Sequence, residues 1–403
     1  MHLTLLSQYY PPEIGAPQTR LSELAAHFIS RGHRVTVLTA MPNYPLGRIY
    51  QGYGGLLRKE QYDQLKIYRT FIYPTQKTSF AARITNYLSF ALSSAVLGSG
   101  LLDRSDYFLV ESPPLFTGLP GIWLSKMKHS RLIFNVSDLW PESAVRLGIL
   151  GNQGLTYRLS VWLERFCYRY AWLITGQSKS ILTDIRRRFP DRATFHLSNG
   201  VDTTRFYPER ATADSRAWLN GEGRSVVLYA GLHGLAQGLD QLLTAAAGLS
   251  DDADVQFVFV GDGPEKSPLV KRARQLNLRN VKFVEPKPAN EIPALVAAAD
   301  IVLVPLKTYI PGAVPSKLYE AMASGRAVVL IAEGEAAEIV LEHQAGIVVK
   351  PGQIQDLVGA IRTLHREPSL RRKFGENGRR AAQQHFDRAK IASRFIDHLE
   401  TNL

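Results

Sequence analysis

Residues Pro315–Ile331 read PSKLYEAMASGRAVVLI, a stretch that indicates a helix followed by a buried strand. Proline at the first helical position and glycine just past the last one are the usual asymmetry of helix ends, and here they are Pro315 and Gly325. The run Ala327–Ile331 is apolar throughout, as in a strand of a parallel sheet that is covered on both faces. The stretch therefore predicts one helix–strand unit of an α/β fold.

The start of this helix also has the residues of an anion-binding site. Backbone N–H groups are free at a helix start and favour a negative charge. Lys317 lies in this first turn, where a cation opposes the helix dipole unless an anion accompanies it. Glu320 follows one turn later and could accept hydrogen bonds from hydroxyls. These groups would suit a nucleotide diphosphate, and an exposed i,i+3 ion pair on a surface helix would explain them equally well.

Length, composition and charge limit the class of protein. The chain has 403 residues, 45% hydrophobic and 21% charged, which is enough for two or three globular domains. A net charge of +12 predicts anionic partners, and because no nucleic-acid motif accompanies it, we expect phosphorylated substrates or phospholipid headgroups but no nucleic acid. The single Cys167 fits a reducing compartment, and no cleavable signal peptide is predicted before Leu3–Leu6. A cytoplasmic enzyme is the simplest expectation.

One apolar segment, Ile84–Leu102, approaches the length of a membrane span. Thr85, Asn86, four serines and two glycines make it a weak candidate for crossing hydrocarbon. We expect a helix that packs on the core and touches the membrane surface. Lys77 and Arg83 would then face anionic headgroups of the inner leaflet.

Strand-like runs alternate with helical patterns along the whole chain, which predicts parallel sheets with helices on both faces. The first set of predicted strands is Leu3–Leu6, Arg34–Thr39, Tyr107–Val110, Leu132–Asn135, Trp172–Gly176 and Thr194–Leu197. The second set is Ser225–Ala230, Val255–Val260, Val281–Val284, Ile301–Val304, Ala327–Ile331 and Gly346–Val349. The polar stretch Thr203–Arg224 between the two sets is predicted to be a linker. We therefore predict two doubly wound domains that face a cleft, with ligands at the carboxyl ends of the strands.

Loops at these predicted strand ends supply candidate site residues. Gly231–Gly238 follows the first strand of the second set and would let a phosphate approach the backbone, although tight turns explain many glycine loops. In the first set, Glu13 and the backbone of Gly15 follow the first strand and are candidates for binding an acceptor. Asp138 and Trp140 follow another strand. Asp138 could orient or deprotonate a hydroxyl, or cap a helix.

Several other chemistries lack their motifs. The chain has no HExxH and no CxxC, so no metal site is predicted. It has neither a GxSxG nucleophile elbow nor a GxxxxGK[ST] loop, which disfavours serine hydrolases and P-loop enzymes.

Six segments of the chain resemble the retaining glycosyltransferases of family 4. Three are general to that family: PSKLYEAMASG at Pro315–Gly325, the NGVD segment of Asn199–Pro208, and RGHRVTVLT at Arg31–Thr39. Three are similar to bacterial members that build colanic acid, lipopolysaccharide, capsule or exopolysaccharide, including fucosamine-type transferases. They are YYPPE and RLSELA within Tyr9–Ala25, DLWPES at Asp138–Ser143 and AQGLD at Ala236–Asp240. The resemblance covers essentially the whole chain.

The resemblance implies a GT-B fold of two Rossmann-like domains. Residues 1–202 would bind the acceptor, the C-terminal helix 387–403 would pack back on them, and residues 203–386 would bind the donor. The implied reaction is a retaining, metal-independent transfer from a nucleotide-diphosphate sugar, UDP-linked, to a polyprenyl-diphosphate-linked glycan. The implied sugar is an N-acetylated hexosamine or a deoxyhexosamine, and the enzyme would associate peripherally with the inner face of the membrane. Glu320 is implied to bind the nucleotide ribose, and Asn199–Asp202 to be the hinge.

Two positions depart from the family pattern. The first of the family's two glutamates falls on Gly312, and the usual lysine of the glycine loop falls on Gln237. We therefore expect Lys317 to stabilise the diphosphate. The other donor-binding candidates around it are Ser316, Gln237 and the backbone N–H groups of Gly312, Ala313, Val314 and Gly234.

Two alternative functions stay open. A nucleotide-sugar 2-epimerase shares the fold, although no acidic and histidine-rich epimerase set is recognisable. A catalytically lapsed transferase that binds partners is suggested by the missing glutamate and lysine.

Overall fold

The computed structural model describes residues 1–77, 79–219 and 223–403. The chain forms two compact units. The first contains Met1–Asn199 and Ala389–Leu403, and the second contains Gly200–Arg388. The assignment of acceptor and donor binding to these units stays a prediction.

An eight-stranded sheet forms the centre of the first unit. Its strands are β1 (His2–Ser7), β2 (Arg34–Ala40), β3 (Leu57–Tyr62), β4 (Leu65–Thr70), β5 (Tyr107–Ser112), β6 (Arg131–Val136), β7 (Leu173–Gly176) and β8 (Ala193–His196). They lie in the order β3-β4-β2-β1-β5-β6-β7-β8, and all neighbours are parallel except β3 and β4. The order reverses at β1, the position where doubly wound sheets bind ligands.

Helices cover both faces of this sheet. They are α1 (Ala16–Ser30), α2 (Phe80–Leu101), α3 (Gly118–Met127), α4 (Glu142–Arg146), α5 (Leu155–Tyr170) and α6 (Lys179–Arg188). Tyr107 and Leu109 of β5 belong to the core on the α1 side. Phe108 and Val110 belong to the core on the side of α2, α3 and α5. The continuous apolar run of β5 is therefore divided between two cores, as expected for a strand covered on both faces.

The second unit has a six-stranded, entirely parallel sheet. Its strands are β9 (Ser225–Ala230), β10 (Val255–Val260), β11 (Val281–Val284), β12 (Ile301–Pro305), β13 (Ala327–Ile331) and β14 (Gly346–Val349). Their order, β11-β10-β9-β12-β13-β14, is that of the Rossmann fold. The helices are α7 (Ala213–Trp218), α8 (Asp240–Ala247), α9 (Lys266–Gln275), α10 (Ile292–Ala298), α11 (Ser316–Ala323), α12 (Glu335–Glu342), α13 (Ile354–Arg366) and α14 (Pro368–Ala381).

The last helix, α15 (Arg388–Thr401), completes the core of the first unit. The Phe395 ring lies 6.3 Å from that of Phe28. The hydroxyl of Tyr107 donates a hydrogen bond of 2.7 Å to the carbonyl of Leu399. The predicted return of the chain end to the N-terminal half therefore has a hydrophobic cause, because α15 covers apolar side chains of β1, β5 and α1.

Residues beside both unit boundaries are hydrogen-bonded to each other. The N–H of Val201 donates to Phe386 (2.8 Å), and the N–H of Arg388 donates to Val201 (2.9 Å). A π-helical turn, Ala382–Phe386, leads into this pairing and separates α14 from α15. The hinge role of Asn199–Asp202 stays a prediction.

Some predicted boundaries were wrong. The Thr203–Arg224 stretch is not a plain linker, since it contains a 3₁₀ turn (Pro208–Arg210) and α7, while residues 220–222 lie outside the described residues. The β3–β4 hairpin was not predicted, because β3 reads LRKEQY and its mixed polar sequence lies on a sheet edge. Helix α4 was also missed, because five residues are too few to show a helical period.

Candidate active site

In the second unit, the glycine loop after β9 lies against the first turn of α11. Gly231 follows the end of β9 and has a φ of 151°. A Cβ at this position would overlap Cε of Lys317 and lie 2.5 Å from its Nζ. Any larger residue would therefore displace the lysine, and the structure brings together two features that are 86 positions apart in the sequence. Their role in donor binding stays a prediction.

Among residues 1–77, 79–219 and 223–403, Lys317 has no anionic partner. Its Nζ lies 5.9 Å from the centre of the Tyr229 ring. Within the described part of the chain, neither Lys317 nor Glu320 takes part in an ion pair, so the i,i+3 pair that was the alternative explanation does not form. Both side chains are half-buried. A cation at a helix start without a carboxylate leaves room for an anionic ligand.

The backbone before α11 supplies free donors. Gly312 has a φ of 75°, a left-handed conformation that favours glycine, and the chain turns there. The N–H of Ala313 is used within the turn, donating to Ile310 at 3.1 Å. In the described residues, the N–H groups of Val314, Ser316 and Lys317 have no backbone acceptor. Of the predicted N–H donors in this turn, those of Gly312 and Val314 have no backbone acceptor among the described residues, whereas that of Ala313 does.

Gln237 lies at the far end of the glycine loop. Gly234 begins a 3₁₀ turn, and a Cβ on Gly234 would lie 2.8 Å from Oε1 of Gln237. That Oε1 is buried and has no hydrogen-bond partner in the described chain. Gln237 therefore packs against the loop where the family places a lysine.

A second cation, Lys307, lies at this edge of the sheet and was not predicted. It follows β12, and its N–H donates a 2.8 Å hydrogen bond to Ala236 of the glycine loop. Gly238 is left-handed (φ 55°), and a Cβ there would lie 2.8 Å from Cα of Lys307. The lysine is exposed and forms no ion pair among the described residues. Its only sequence signal is a basic residue two positions after a buried strand.

His233 of the same loop is fully buried, and both its ring nitrogens lack partners in the described chain. The rings of Tyr229, Phe259 and Phe283 surround it at 5.8 to 6.5 Å. Burial lowers the pKa of His233 to about 4, and the charge of Lys266 acts in the same direction. The imidazole is therefore neutral at pH 7 and adds no charge beside Lys317.

In the first unit, Glu13 joins two loops. Its Oε1 accepts hydrogen bonds from the N–H groups of Asn43 (2.7 Å) and Tyr44 (2.8 Å), and Oε2 accepts one from Tyr10 (3.3 Å). Burial raises the pKa of Glu13 although these bonds oppose the shift. The structure thus gives this carboxylate a bracing role, and its contact with an acceptor stays a prediction.

Gly15 lies at the start of α1 in an extended conformation. A Cβ on Gly15 would overlap Oε1 of Gln18, a buried oxygen without a partner in the described chain. A side chain at Gly15 would therefore displace the amide of Gln18, and the contact of the Gly15 backbone with an acceptor stays a prediction.

Asp138 and Trp140 share the loop between β6 and α4. Burial raises the pKa of Asp138 to about 6, and the N–H of Leu139 acts against this shift. Asp138 does not cap α4, because the cap position is Pro141 and no side chain fills that role. Trp140 is half-buried and packs against the apolar core, so part of its ring serves packing.

A buried polar network next to Asp138 was not predicted. Arg20 of α1 pairs with Glu111 at the end of β5, at 2.6 Å. Glu111 also accepts hydrogen bonds from Asn135 (2.7 Å) and Ser137 (2.6 Å). Both carboxylate oxygens of Glu111 are therefore used, and the network fixes the residue that precedes Asp138. A glutamate at the end of the apolar run YFLVES was the available signal.

No group of three or more His, Cys, Asp or Glu side chains is placed to hold a metal ion within residues 1–77, 79–219 and 223–403. The donor-side candidates are instead cationic, amide or backbone groups together with Glu320.

Both halves of the chain match family models. Residues 15–200 match the glycosyl transferase 4-like domain, and residues 211–381 match the glycosyl transferases group 1. The putative colanic acid biosynthesis glycosyl transferase WcaI of Escherichia coli K12 is 28% identical over 97% of each chain. A GDP-mannose-dependent alpha-(1-6)-phosphatidylinositol monomannoside mannosyltransferase of Mycolicibacterium smegmatis is 33% identical, over 68% of this chain and 79% of its own.

Solved structures share the fold. Sucrose-phosphate synthase of Thermosynechococcus elongatus superposes with a TM-score of 0.78 at 20% identity, over 99% of this chain and 98% of its own. Anabaena HepE in complex with UDP-glucose superposes with a TM-score of 0.73 at 20% identity over the full length of both chains. The predicted GT-B fold and the predicted enzyme class are confirmed. The chain belongs to the group 1 glycosyltransferases with a glycosyl transferase 4-like N-terminal domain, the family that its motifs resemble.

Proposed function

We propose that the chain transfers a sugar from a nucleotide-diphosphate donor to a polyprenyl-diphosphate-linked glycan during synthesis of a bacterial surface polysaccharide. The proposed transfer retains the anomeric configuration and needs no metal. The donor is UDP-linked, and its sugar is an N-acetylated hexosamine or a deoxyhexosamine. The observation that carries the proposal is the Lys317 side chain, which lies across Gly231 at a helix start with free N–H groups and no protein anion.

The names of relatives support the substrate class. WcaI is described as a colanic acid biosynthesis enzyme, and it aligns with nearly the whole of this chain. HepE was solved with UDP-glucose, which favours UDP as the nucleotide. Neither name fixes the sugar.

On the donor side, charge develops on the diphosphate as the sugar's C1–O bond breaks. Lys317 and the N–H groups of Val314 and Ser316 are proposed to stabilise that charge. Lys307 adds a second cation at the same sheet edge. Glu320, which has no ion-pair partner in the described chain, is proposed to accept hydrogen bonds from the ribose hydroxyls.

On the acceptor side, Asp138 is proposed to orient the acceptor hydroxyl and to take its proton as the new C1–O bond forms. A pKa of about 6 leaves the carboxylate ionised at pH 7, which suits a general base. The pair Arg20–Glu111 and Ser137 hold the loop that carries Asp138.

A lipid-linked acceptor is supported by an apolar surface on the first unit, which we call the three-helix face. Among the described residues, no helix is long and apolar enough to span a bilayer. The exposed apolar residues of the three-helix face are Leu88, Leu92 and Val96 of α2, Leu119, Trp123 and Met127 of α3, and Leu155, Leu159 and Trp162 of α5. On each helix they recur every three or four positions, as on an interfacial amphipathic helix.

The three helices of this face are in contact. The indole N–H of Trp123 donates to the hydroxyl of Ser99 at 3.2 Å, which joins α3 to α2. The ammonium of Lys126 lies 3.9 Å from the centre of the Tyr170 ring, which joins α3 to α5. The membrane contact predicted for α2 alone is therefore proposed to extend over α3 and α5, where Lys126 supplies positive charge toward anionic headgroups.

The decisive experiment is a donor screen. UDP-sugars are supplied with a short-chain polyprenyl-diphosphate sugar, and products are identified by mass and by the anomeric configuration of the new bond. We expect one UDP-sugar to be transferred with retention, at a rate unchanged by EDTA. Epimerised donor formed without acceptor would favour the 2-epimerase, and UDP binding without any transfer would favour the lapsed transferase.

A further inference from the structure

The second unit contains a cavity of about 610 Å³ at the amino ends of β12 and β13. Asp300 and Arg326, the residues just before these strands, line it together with α14 and the turn at Gly325. In a parallel sheet all strands begin at one edge and end at the other. The cavity therefore lies across the sheet from the loops that carry Lys317 and Lys307.

The lining of this cavity is strongly basic. Five arginines and two carboxylates surround it: Arg326, Arg371, Arg372, Arg379 and Arg380 with Asp300 and Glu376. Asp300 is already engaged, since its Oδ2 pairs with Arg216 at 2.7 Å and accepts the N–H of Val226 at 2.8 Å. The carboxylates therefore do not balance the charge of the arginines.

Two of the arginines serve the fold. Arg379 donates to the carbonyls of Thr203 (3.1 Å), Phe206 (2.8 Å) and Ala323 (3.0 Å). Arg371 donates to the carbonyl of His365 at 2.8 Å. Their guanidinium groups replace missing backbone partners and need no ligand to explain them.

The other three arginines have no such explanation. In the described chain, Arg326, Arg372 and Arg380 form no ion pair with any carboxylate. Arg326 is half-buried, and among the described residues its guanidinium group makes one hydrogen bond, a 3.3 Å contact from Nε to the carbonyl of Ser324. Burial lowers the pKa of Arg326, the nearby carboxylate of Asp300 opposes this shift, and the charge of Arg216 lowers the pKa further. An anion in the cavity would relieve both effects.

Two glycines, Gly325 and Gly375, allow two backbone segments that line the cavity to lie close together. A Cβ on Gly375 of α14 would overlap the carbonyl oxygen of Gly325. Gly325 is left-handed (φ 64°), and a Cβ there would lie 2.8 Å from Cγ of Pro208. The close approach of these backbones fixes α14 against the turn, so the helix that carries Arg372 and Arg380 lies at a defined distance from Arg326.

We propose that this arginine cavity, defined by Arg326, Arg372 and Arg380, binds a compact molecule with at least two phosphate groups, at a site separate from the sugar donor. Planar guanidinium groups bind phosphate oxygens in pairs. The volume is that of a small-molecule site, which selects a metabolite-sized anion over a macromolecule. A ligand in this position would act on the transferase from outside its donor site. The proposal does not rest on the identity of the transferred sugar.

The probe is inorganic pyrophosphate, titrated calorimetrically at about 150 mM salt to screen weak surface attraction. The donor site is blocked by saturating UDP, and in a parallel titration it is weakened by Lys317→Ala. We expect one pyrophosphate per chain in both cases. Arg326→Gln/Arg372→Gln should raise the Kd at least about tenfold, because two charge-assisted contacts are lost.

The matched control is Arg274→Gln/Arg279→Gln, which removes the same charge from exposed positions of the second unit and should leave the Kd unchanged. Arg372→Gln/Arg380→Gln, with both changes on exposed residues of α14, repeats the test without touching half-buried Arg326. The proposal is overturned if pyrophosphate does not bind when UDP is saturating, or if the cavity and control variants bind it equally.

Discussion

At the scale of single residues, the position of Lys317 depends on the absence of a side chain at Gly231. Lys317 was a candidate from the sequence because its charge opposes the helix dipole. The loop Gly231–Gly238 was a candidate because it is rich in glycine. The sequence did not reveal that the Lys317 side chain needs a glycine at position 231 to occupy its place. That relation arises from a backbone approach between β9 and α11, which no local pattern encodes.

This dependence predicts a non-additive pair of variants. Lys317→Ala should lower turnover by about 10²–10³, the usual effect of removing one stabilising donor. Gly231→Ala removes no functional group but displaces the lysine, so UDP affinity and turnover should each fall by at least about tenfold. The double variant should be no worse than Lys317→Ala alone. Kinetics with the transferred UDP-sugar and UDP titration measure all three.

The control for Gly231→Ala is Gly352→Ala, in the same unit. Gly352 also has a positive φ (84°), but a Cβ there meets no atom within 4 Å. The substitution Gly352→Ala therefore introduces backbone strain without displacing any side chain, and it should leave UDP affinity unchanged. Equal losses in the two glycine variants, or full additivity with Lys317→Ala, would show that Lys317 is not held for binding the donor.

Asp138 predicts a conflict between stability and activity. Because the pKa of Asp138 in the folded chain, about 6, lies above its usual value of 3.8, the folded chain holds the proton more tightly than the unfolded chain. The stabilisation from this group is present below the unfolded pKa and is lost as pH rises from about 4 through 6. Asp138→Asn should therefore raise the free energy of unfolding at pH 7 by about 1–3 kcal/mol.

The same substitution should lower turnover, and it should remove the rise in wild-type activity that accompanies ionisation near pH 6. Denaturant unfolding and a pH–rate profile measure the two effects. Glu142→Gln, an exposed carboxylate in the next helix, is the control. A stable Asp138→Asn enzyme with the wild-type pH profile would rule out the proposed base.

Site residues could be predicted from the sequence when they lie beside a local pattern, such as a strand end or a helix start. Lys317, Glu320 and Asp138 stand beside recognisable strand ends and helix starts. Lys307 and the Arg20–Glu111 pair are defined by neighbours far away in the sequence. Only the folded chain shows that they share a sheet edge with the predicted residues.

At the scale of elements, the limits of a strand were predicted best where the strand forms a largely apolar run in the sequence. The limits of β9, β10, β11, β13 and β14 agree with those predicted, since these parallel strands are mostly apolar, with Gln256 and Lys282 as the charged or amide exceptions. Prediction failed for β3, whose polar residues lie at the sheet edge, and for α4 and α7, which are too short for a period.

Helix α15 contributes buried apolar side chains to the core of the first unit. Phe395 is fully buried among Phe28, Phe195 and neighbouring side chains of that core. Phe395→Ala should lower the free energy of unfolding by about 3–5 kcal/mol, through lost burial and the cavity that remains. Hydrogen exchange should show the loss in β1 and β5.

Leu341→Ala is the control for Phe395→Ala. Leu341 is 62% exposed on α12 of the second unit, so its truncation should change stability by less than about 0.5 kcal/mol. Unchanged exchange of β1 and β5 in Phe395→Ala would contradict the assignment of α15 to the first core.

At the scale of the whole molecule, the net charge of +12 and the three-helix face predict binding to anionic membranes. Leu92 and Trp123 are 67% and 60% exposed on this face. Leu92→Ser/Trp123→Ser should reduce binding to phosphatidylglycerol vesicles more than tenfold, since about 2 kcal/mol of apolar burial is lost. Vesicle sedimentation measures the bound fraction.

Leu276→Ser/Leu341→Ser makes the same kind of change at two exposed leucines of the second unit and should bind vesicles like the wild type. If both double variants bind equally, the attraction is electrostatic and the three-helix face is not inserted. The sequence pointed to α2 alone, because its apolar residues are contiguous. The exposed residues of α3 and α5 join it only through tertiary packing.

The position of α15 in the core of the first unit also affects the order in which the two units can complete their folding during translation. Residues 1–199 are synthesised before α15, so their core lacks Phe395, Ile396 and Leu399 until that helix has been made. Gly200–Arg388 is complete before that point. Domains generally fold as they emerge, in order from the N-terminus. Here the core of the unit that is made first stays incomplete until α15 follows, so the apolar side chains that α15 covers are exposed to chaperones and proteases while Gly200–Arg388 is synthesised.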